Sequence, residues 1–142
     1  AQMTGNVAEG TEELSEEKCW ELLARERTGR LAVAIGKHPD IFPVNHVIEK
    51  RKIVFRTDPG TKLAAAVLGT GVAYEVDHVD AESGVAWSVV VKGQAREYHT
   101  VDDLIHAEDL PLFPWETGGK HRYVAITADE ISGRRFHVLE PE

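Results

Sequence analysis

"GRLAVAIGKHPDIFPVNHVIEKRKIVFRT", Gly29–Thr57, holds three short apolar runs separated by two polar breaks. The runs are "GRLAVAIG" (Gly29–Gly36), "IFPVNHVI" (Ile41–Ile48) and "IVFRT" (Ile53–Thr57), each of strand length and rich in β-branched and aromatic side chains. The breaks, "KHPD" and "EKRK", read as turns. Neither is long enough for the crossover helix that parallel strands require, so the runs predict an antiparallel meander. Pro43 has no N–H to give to a ladder. It predicts an edge, a bulge or a ligand beside the second strand.

Outward from the meander, residues 1–13, "AQMTGNVAEGTEE", are small and polar without periodicity and read as a flexible tail. "LSEEKCWELLARER" carries helix signals: Ser15 as N-cap, Glu16 and Glu17 at the positive end of the dipole, and Cys19, Leu22 and Leu23 on one stripe. "TKLAAAVLG" (Thr61–Gly69) predicts a short helix, and "VAYEVDHV" (Val72–Val79) alternates like a half-buried strand. "AESG" turns the chain into a long strand, "VAWSVVVKGQAREY" (Val85–Tyr98). Gly93 inside it predicts a bulge or bend of the sort barrel closure needs. "TVDDLIHAED" reads as a second small helix capped by Thr100, "LPLFPWETGGKH" as a loop, and "RYVAITA" and "EISGRRF" as a closing pair of strands. Many strands, few short helices and no βαβ alternation predict a mainly β chain: a small barrel forming one domain over residues 14–142.

The net charge of −8 at pH 7 argues against broad binding of nucleic acid or anionic membrane, which needs a basic field. Cys19 is the only cysteine, which excludes an intrachain disulfide and a multi-cysteine metal site. Its place on an apolar stripe reads as core. The seven histidines have no metal-ligand spacing, and no metal is expected. His46, beside "FPVN", is the histidine best placed to serve a site. No apolar run is long enough to span a bilayer, and no basic-then-apolar leader opens the sequence, so the expected localisation is cytoplasmic.

"VFRTDPGTKLAAA", Val54–Ala66, brackets one tight turn with two cations in an acidic chain. Unpaired N–H groups at a helix start favour an anion. Thr57 and Thr61 add hydroxyls, Lys62 a charge, and Arg56 a forked donor suited to phosphate oxygens. Gly60 lets the backbone approach closely. Two readings stay open on local chemistry: an anion site, or an exposed corner where Thr61 merely caps a helix.

Taken in order, "GRLAV", "FPVN", "VFRTDPGTKLAAA", "WSVVVKGQARE" and "ISGRRF" resemble the pyridoxamine 5'-phosphate oxidase-like flavin-binding split-barrel family, in its short actinobacterial-type branch. The resemblance runs from Leu14 to Phe136. It implies a six-stranded antiparallel split barrel, a homodimer, and FMN bound at the subunit interface, acting as an oxidoreductase on a small molecule. By position, it implies that Lys62, Thr61 and Arg56 hold the terminal phosphate, with Thr57 as a further phosphate or ribityl partner. Pro43, Val44 and Asn45 would lie along the isoalloxazine ring, Trp87 and Ser88 would reach the cofactor from the partner subunit, and Trp115 would cover the ring or substrate.

The longer enzymes that name the family close with a segment whose arginine and histidine grip the substrate phosphate. "RRFH" places Arg135 and His137 at a similar spacing without the surrounding pattern, so pyridoxamine phosphate is not the expected substrate. No acid, base or nucleophile stands out, as suits chemistry carried by a cofactor. Two alternatives share the fold. One is a deazaflavin-dependent reductase, with Lys50, Arg51 and Lys52 meeting the longer acidic tail; the other is a non-catalytic flavin- or haem-binding protein.

Overall fold

A computed structural model describes residues 10–58, 60–67, 70–97 and 122–138. The predicted helix at Thr100, the loop carrying Trp115 and residues 1–9 lie outside them.

The predicted meander is present as β2 (Thr28–Ile35), β3 (His38–Glu49) and β4 (Lys52–Thr57), paired antiparallel in that order. Its first turn is tighter than "KHPD" suggested. Gly36, at φ 61°, and Lys37 turn the chain, and His38–Asp40 already belong to β3. A left-handed glycine closes the hairpin in two residues. The second turn is Lys50–Arg51, both at positive φ (49° and 58°), a conformation that side chains with a Cβ adopt at some strain.

Helix α1 (Glu16–Arg25) starts where its cap predicts, the Ser15 hydroxyl accepting the Lys18 N–H at 3.1 Å. It buries Cys19, Trp20, Leu22 and Leu23. The meander is followed by α2 (Lys62–Val67), β5 (Gly71–Val79), β6 (Val85–Glu97) and β7 (Arg122–His137). The two closing strands of the sequence reading are one, β7. Asp129 is skipped in the register, Lys92 facing Glu130 and Gly93 facing Ala128. The acidic break at Asp129 is therefore a β-bulge inside a continuous strand.

Six strands close a ring in the order β7-β4-β3-β2-β5-β6, with β6 returning to β7. A seventh, β1 (Thr11–Glu13), pairs with the far end of β7 through Thr11↔Phe136 to Glu13↔Arg134. The count is thus seven rather than six, and pairing begins inside the stretch read as tail. Three polar residues carry no periodicity that could announce such a strand. Its partner does the ordering.

Alternation sends one row of each strand inward: Leu31 and Val33, Ile53 and Phe55, Val72, Tyr74 and Val76, Val89 and Val91, Val124 and Ile126. The apolar side of α1 joins this core. Cys19 is fully buried there, and burial raises its thiol pKa, so it is an inert packing residue. Among the described residues, no helix is long and apolar enough to cross a membrane.

Candidate functional site

The barrel is split where β3 and β4 part company. They pair only from His46↔Phe55 to Glu49↔Lys52. Before His46, β3 stays with β2, ending at Asn45↔Thr28. Beyond Phe55, β4 stays with β7 through Arg56↔Tyr123 and Thr57↔Arg122. The strands diverge, and α2 follows the open end of β4.

This divergence explains Pro43. The His46 N–H bonds to Arg27 O at 2.8 Å, on the β2 side. Backbone groups alternate along an antiparallel strand, so those of Pro43 and Asn45 face the gap instead. A proline is tolerated because no β4 carbonyl waits for its missing N–H. The expected edge is there.

The gap is a cleft of about 660 Å³. Pro43, Val44 and Asn45 line one wall, and Arg56, Thr57, Thr61 and Lys62 the other. Seven of the ten residues proposed from the sequence therefore meet at one place. Asn45 is oriented by Thr28, whose hydroxyl donates to Asn45 Oδ1 at 2.9 Å. That bond leaves the amide's NH2 as the group able to donate to a ligand.

On the α2 side, the Thr61 hydroxyl is a cap: it donates to Asp58 O at 2.8 Å and accepts the Ala64 N–H at 3.1 Å. The Thr61 N–H also bonds to Asp58 O, at 3.3 Å. The anion-binding capacity of this corner thus rests on Arg56, Lys62 and Thr57 more than on Thr61. Thr57 is buried and Lys62 is exposed. Lys62 Nζ stands 3.7 Å from Asp40 Oδ2.

Thr28, Phe42, Asp58 and Leu63 also line the cleft and were not singled out in the sequence. Phe42 lies within "FPVN", and Asp58 and Leu63 within "VFRTDPGTKLAAA", without having been picked out as site residues. Thr28 becomes visible only through the β2–β3 register.

Trp87 and Ser88 lie on β6, opposite Arg135 and Arg134, and do not line the cleft of their own chain. Trp87 packs against the core and, tilted, against His78 with ring centroids 6.4 Å apart. Trp115 is outside the described residues. Arg135 lies 3.9 Å from Glu12, and His137 faces Val85; neither lines the cleft. Lys50, Arg51 and Lys52 sit at the opposite end of the β3–β4 pairing, five or more residues from Asn45, roughly 17 Å along a strand. Arg51 is 3.7 Å from Glu16. The structure does not bring this basic group to the cleft. Among the described residues, no cluster of His, Cys, Asp and Glu could hold a metal.

His46 turns out to be structural. It shares the inward parity of Phe42 and Val44 and is 2% exposed. Its Nε2 is 2.9 Å from Leu23 O and its Nδ1 2.6 Å from the Tyr74 hydroxyl. A carbonyl only accepts, so Nε2–H donates to it and Nδ1 receives the Tyr74 O–H. This neutral ring ties α1 to β5 across β3. Gly29 makes the arrangement possible: a Cβ there would stand 2.4 Å from the Tyr74 ring.

Burial lowers the His46 pKa below its ordinary 6.5, against the opposing pull of the Leu23 carbonyl and Glu26. A depressed histidine gives stability that is fully present above 6.5 and lost as pH falls toward its folded pKa, because the unfolded chain takes the proton first. Glu75, pushed up to about 7 by burial and by Asp77, acts in the opposite sense between 4.5 and 7. The difference between wild type and His46→Gln therefore isolates the histidine. In urea titrations, wild type is expected to lose stability below pH 6.5 relative to the variant by up to about 1.4 kcal/mol per pH unit. Parallel pH profiles would mean that the folded protein protonates His46 as readily as the unfolded chain does.

The strands form a split antiparallel barrel with a cleft at the split, and comparison with known proteins gives its family. The family model described as pyridoxamine 5'-phosphate oxidase matches residues 15–135, and the chain belongs to that family. A structure of an FAD-binding protein from Mycobacterium smegmatis is 36% identical, with a TM-score of 0.84 over 90% of this chain and 100% of that one. A conserved protein of unknown function from Corynebacterium diphtheriae is 32% identical, with a TM-score of 0.78 over 90% and 99% of the two chains. An uncharacterized protein of Mycobacterium tuberculosis is 33% identical over 129 residues, 87% of this chain and 84% of its own.

Proposed function

We propose that this chain is a cytoplasmic flavoprotein whose cleft holds a flavin nucleotide, FMN being the expected form, shared by two copies in a homodimer. One observation carries the reading. The parting of β3 and β4 sets an open strand edge and the Asn45 amide across from Arg56, Thr57 and Lys62. A flat ring needs the first wall and a phosphate needs the second. The cleft volume falls within the range of small-molecule sites.

Pro43, Val44 and Asn45 would hold the ring. Arg56 and Lys62 would hold the phosphate, with Thr57 and Thr61 as neutral partners. Trp87 and Ser88 would meet the cofactor of the other subunit, as the family resemblance implies, and Trp115 would cover it. A bound flavin supplies hydride or electron transfer at its ring, and the protein supplies position and environment. We assign oxidation–reduction of a small molecule on that basis. The FAD-binding description of the related M. smegmatis protein supports a flavin and makes FAD the form to be told apart from FMN.

Fluorescence titration of the purified protein with riboflavin, FMN, FAD and a deazaflavin tests this directly. FMN is expected to bind at least about tenfold tighter than riboflavin, through charge-assisted contacts to its phosphate. Light scattering should give the mass of a dimer, and a nicotinamide donor should bleach the bound flavin without oxygen. Quenching by none of the four ligands removes the reading. Binding without reduction by either nicotinamide identifies a carrier or sensor.

A further inference from the structure

We infer that Asp40 sets which phosphate the cleft accepts, by holding Lys62 in the free protein and repelling charge on a bound phosphate; this rests on the flavin-nucleotide reading above. Asp40 lies on β3 two residues before Phe42, in the same row of side chains; Phe42 and Lys62 line the cleft, and Asp40 reaches it through its contact with Lys62. Its Oδ1 accepts the Ile41 N–H at 2.9 Å, which fixes the carboxylate, and its Oδ2 stands 3.7 Å from Lys62 Nζ. The lysine side chain is 76% exposed and the aspartate's 36%. The ammonium is therefore the partner that moves. Their contact joins β3 to α2, the two elements that form opposite walls.

A phosphate entering the cleft must take Lys62 from Asp40 or share it. Either way it comes near a fixed carboxylate, and Asp58 lines the same cleft. Repulsion rises with the charge on one phosphorus. A terminal phosphate carries about −1.5 to −2 at pH 7. Each phosphorus of a diphosphate bridge carries a single charge, and riboflavin carries none. Asp40 thus penalises FMN most, FAD less and riboflavin hardly at all.

Asp40→Asn keeps the shape and the acceptor for the Ile41 N–H while removing the charge. Wild type and Asp40→Asn are titrated with FMN, FAD, riboflavin and inorganic pyrophosphate at low salt. The variant is expected to bind FMN roughly three- to tenfold tighter, FAD by a smaller factor, and riboflavin unchanged. The gain should shrink as salt is raised, and should be smaller in a Lys62→Ala background. Equal FMN affinity in both proteins, or a riboflavin gain equal to that for FMN, overturns the inference. If no flavin binds either protein, the cofactor reading fails by itself and pyrophosphate decides: a Lys62-dependent gain upholds the Asp40–Lys62 pairing, and no gain overturns it.

Discussion

Gly93→Ala is expected to lower stability by about 3 kcal/mol, the upper end of the usual cost of overpacking, and the melting temperature by roughly 10 °C. A Cβ on Gly93 would lie 1.9 Å from the Thr127 carbonyl oxygen, 2.9 Å from its carbon and 3.1 Å from Ala128 Cα. All three are backbone atoms, so no side-chain rotation relieves the clash. Either β6 or β7 must shift at the bulge, and that strand pair closes the ring. The control is Gly71→Ala on neighbouring β5. There the nearest atoms would be at 3.7 and 3.9 Å, ordinary contact, and the change should be neutral or slightly stabilising. Thermal melts followed by circular dichroism compare the two. Equal melting temperatures would mean that the ring does not close through Gly93.

The same glycine shows what a sequence can disclose about this fold. Gly93 interrupts an apolar run, and a bulge there is a local inference that the register shift at Lys92/Gly93 bears out. The extra residue of that same bulge, Asp129 on β7, reads in the sequence as a break between two strands. From sequence alone, a bulged strand and a tight polar turn look alike; only the unbroken partner β6 tells them apart. β1 is legible only from its partner for the same reason. The meander was readable because its breaks are too short for any other connection. Turn chemistry marked both turns but not their exact residues: each closes in two, Gly36–Lys37 at the edge of "KHPD" and Lys50–Arg51 inside "EKRK".

The candidate site divides along the same line. Pro43–Asn45 and Arg56–Lys62 were joined in the sequence by the family resemblance; the β3–β4 pairing brings the two segments to the same cleft. What the sequence could not supply was the parting of the strands, which depends on β3 following β2 while β4 follows β7. Thr28 and Asp40 enter through register and through a cross-cleft contact, neither of which has a local signature. His46 was placed beside the motif by sequence distance. Strand parity, counted from Phe42 and Val44, sends it into the core instead.

Replacing both cleft cations, Arg56→Gln with Lys62→Ala, is expected to weaken FMN binding by about 3 kcal/mol, on the order of a hundredfold, while riboflavin binding stays the same. Hydrogen bonds to charged groups contribute about 1.5–3 kcal/mol each, and the exposure of Lys62 argues for the lower figure. Lys62→Ala alone should therefore cost about tenfold. With both cations gone, Asp40 and Asp58 remain, so a phosphate would meet carboxylate repulsion there with only the neutral Thr57 and Thr61 to offset it. Arg56 is half-buried on β4 opposite Tyr123, and glutamine keeps part of its stem and its polarity in place. A melt of the double variant checks that β4 has not moved. Parallel losses for FMN and riboflavin would show that the two residues support the ring wall rather than hold a phosphate. Unchanged FMN binding would place the phosphate elsewhere, leaving the open edge of β3 to account for whatever binding remains.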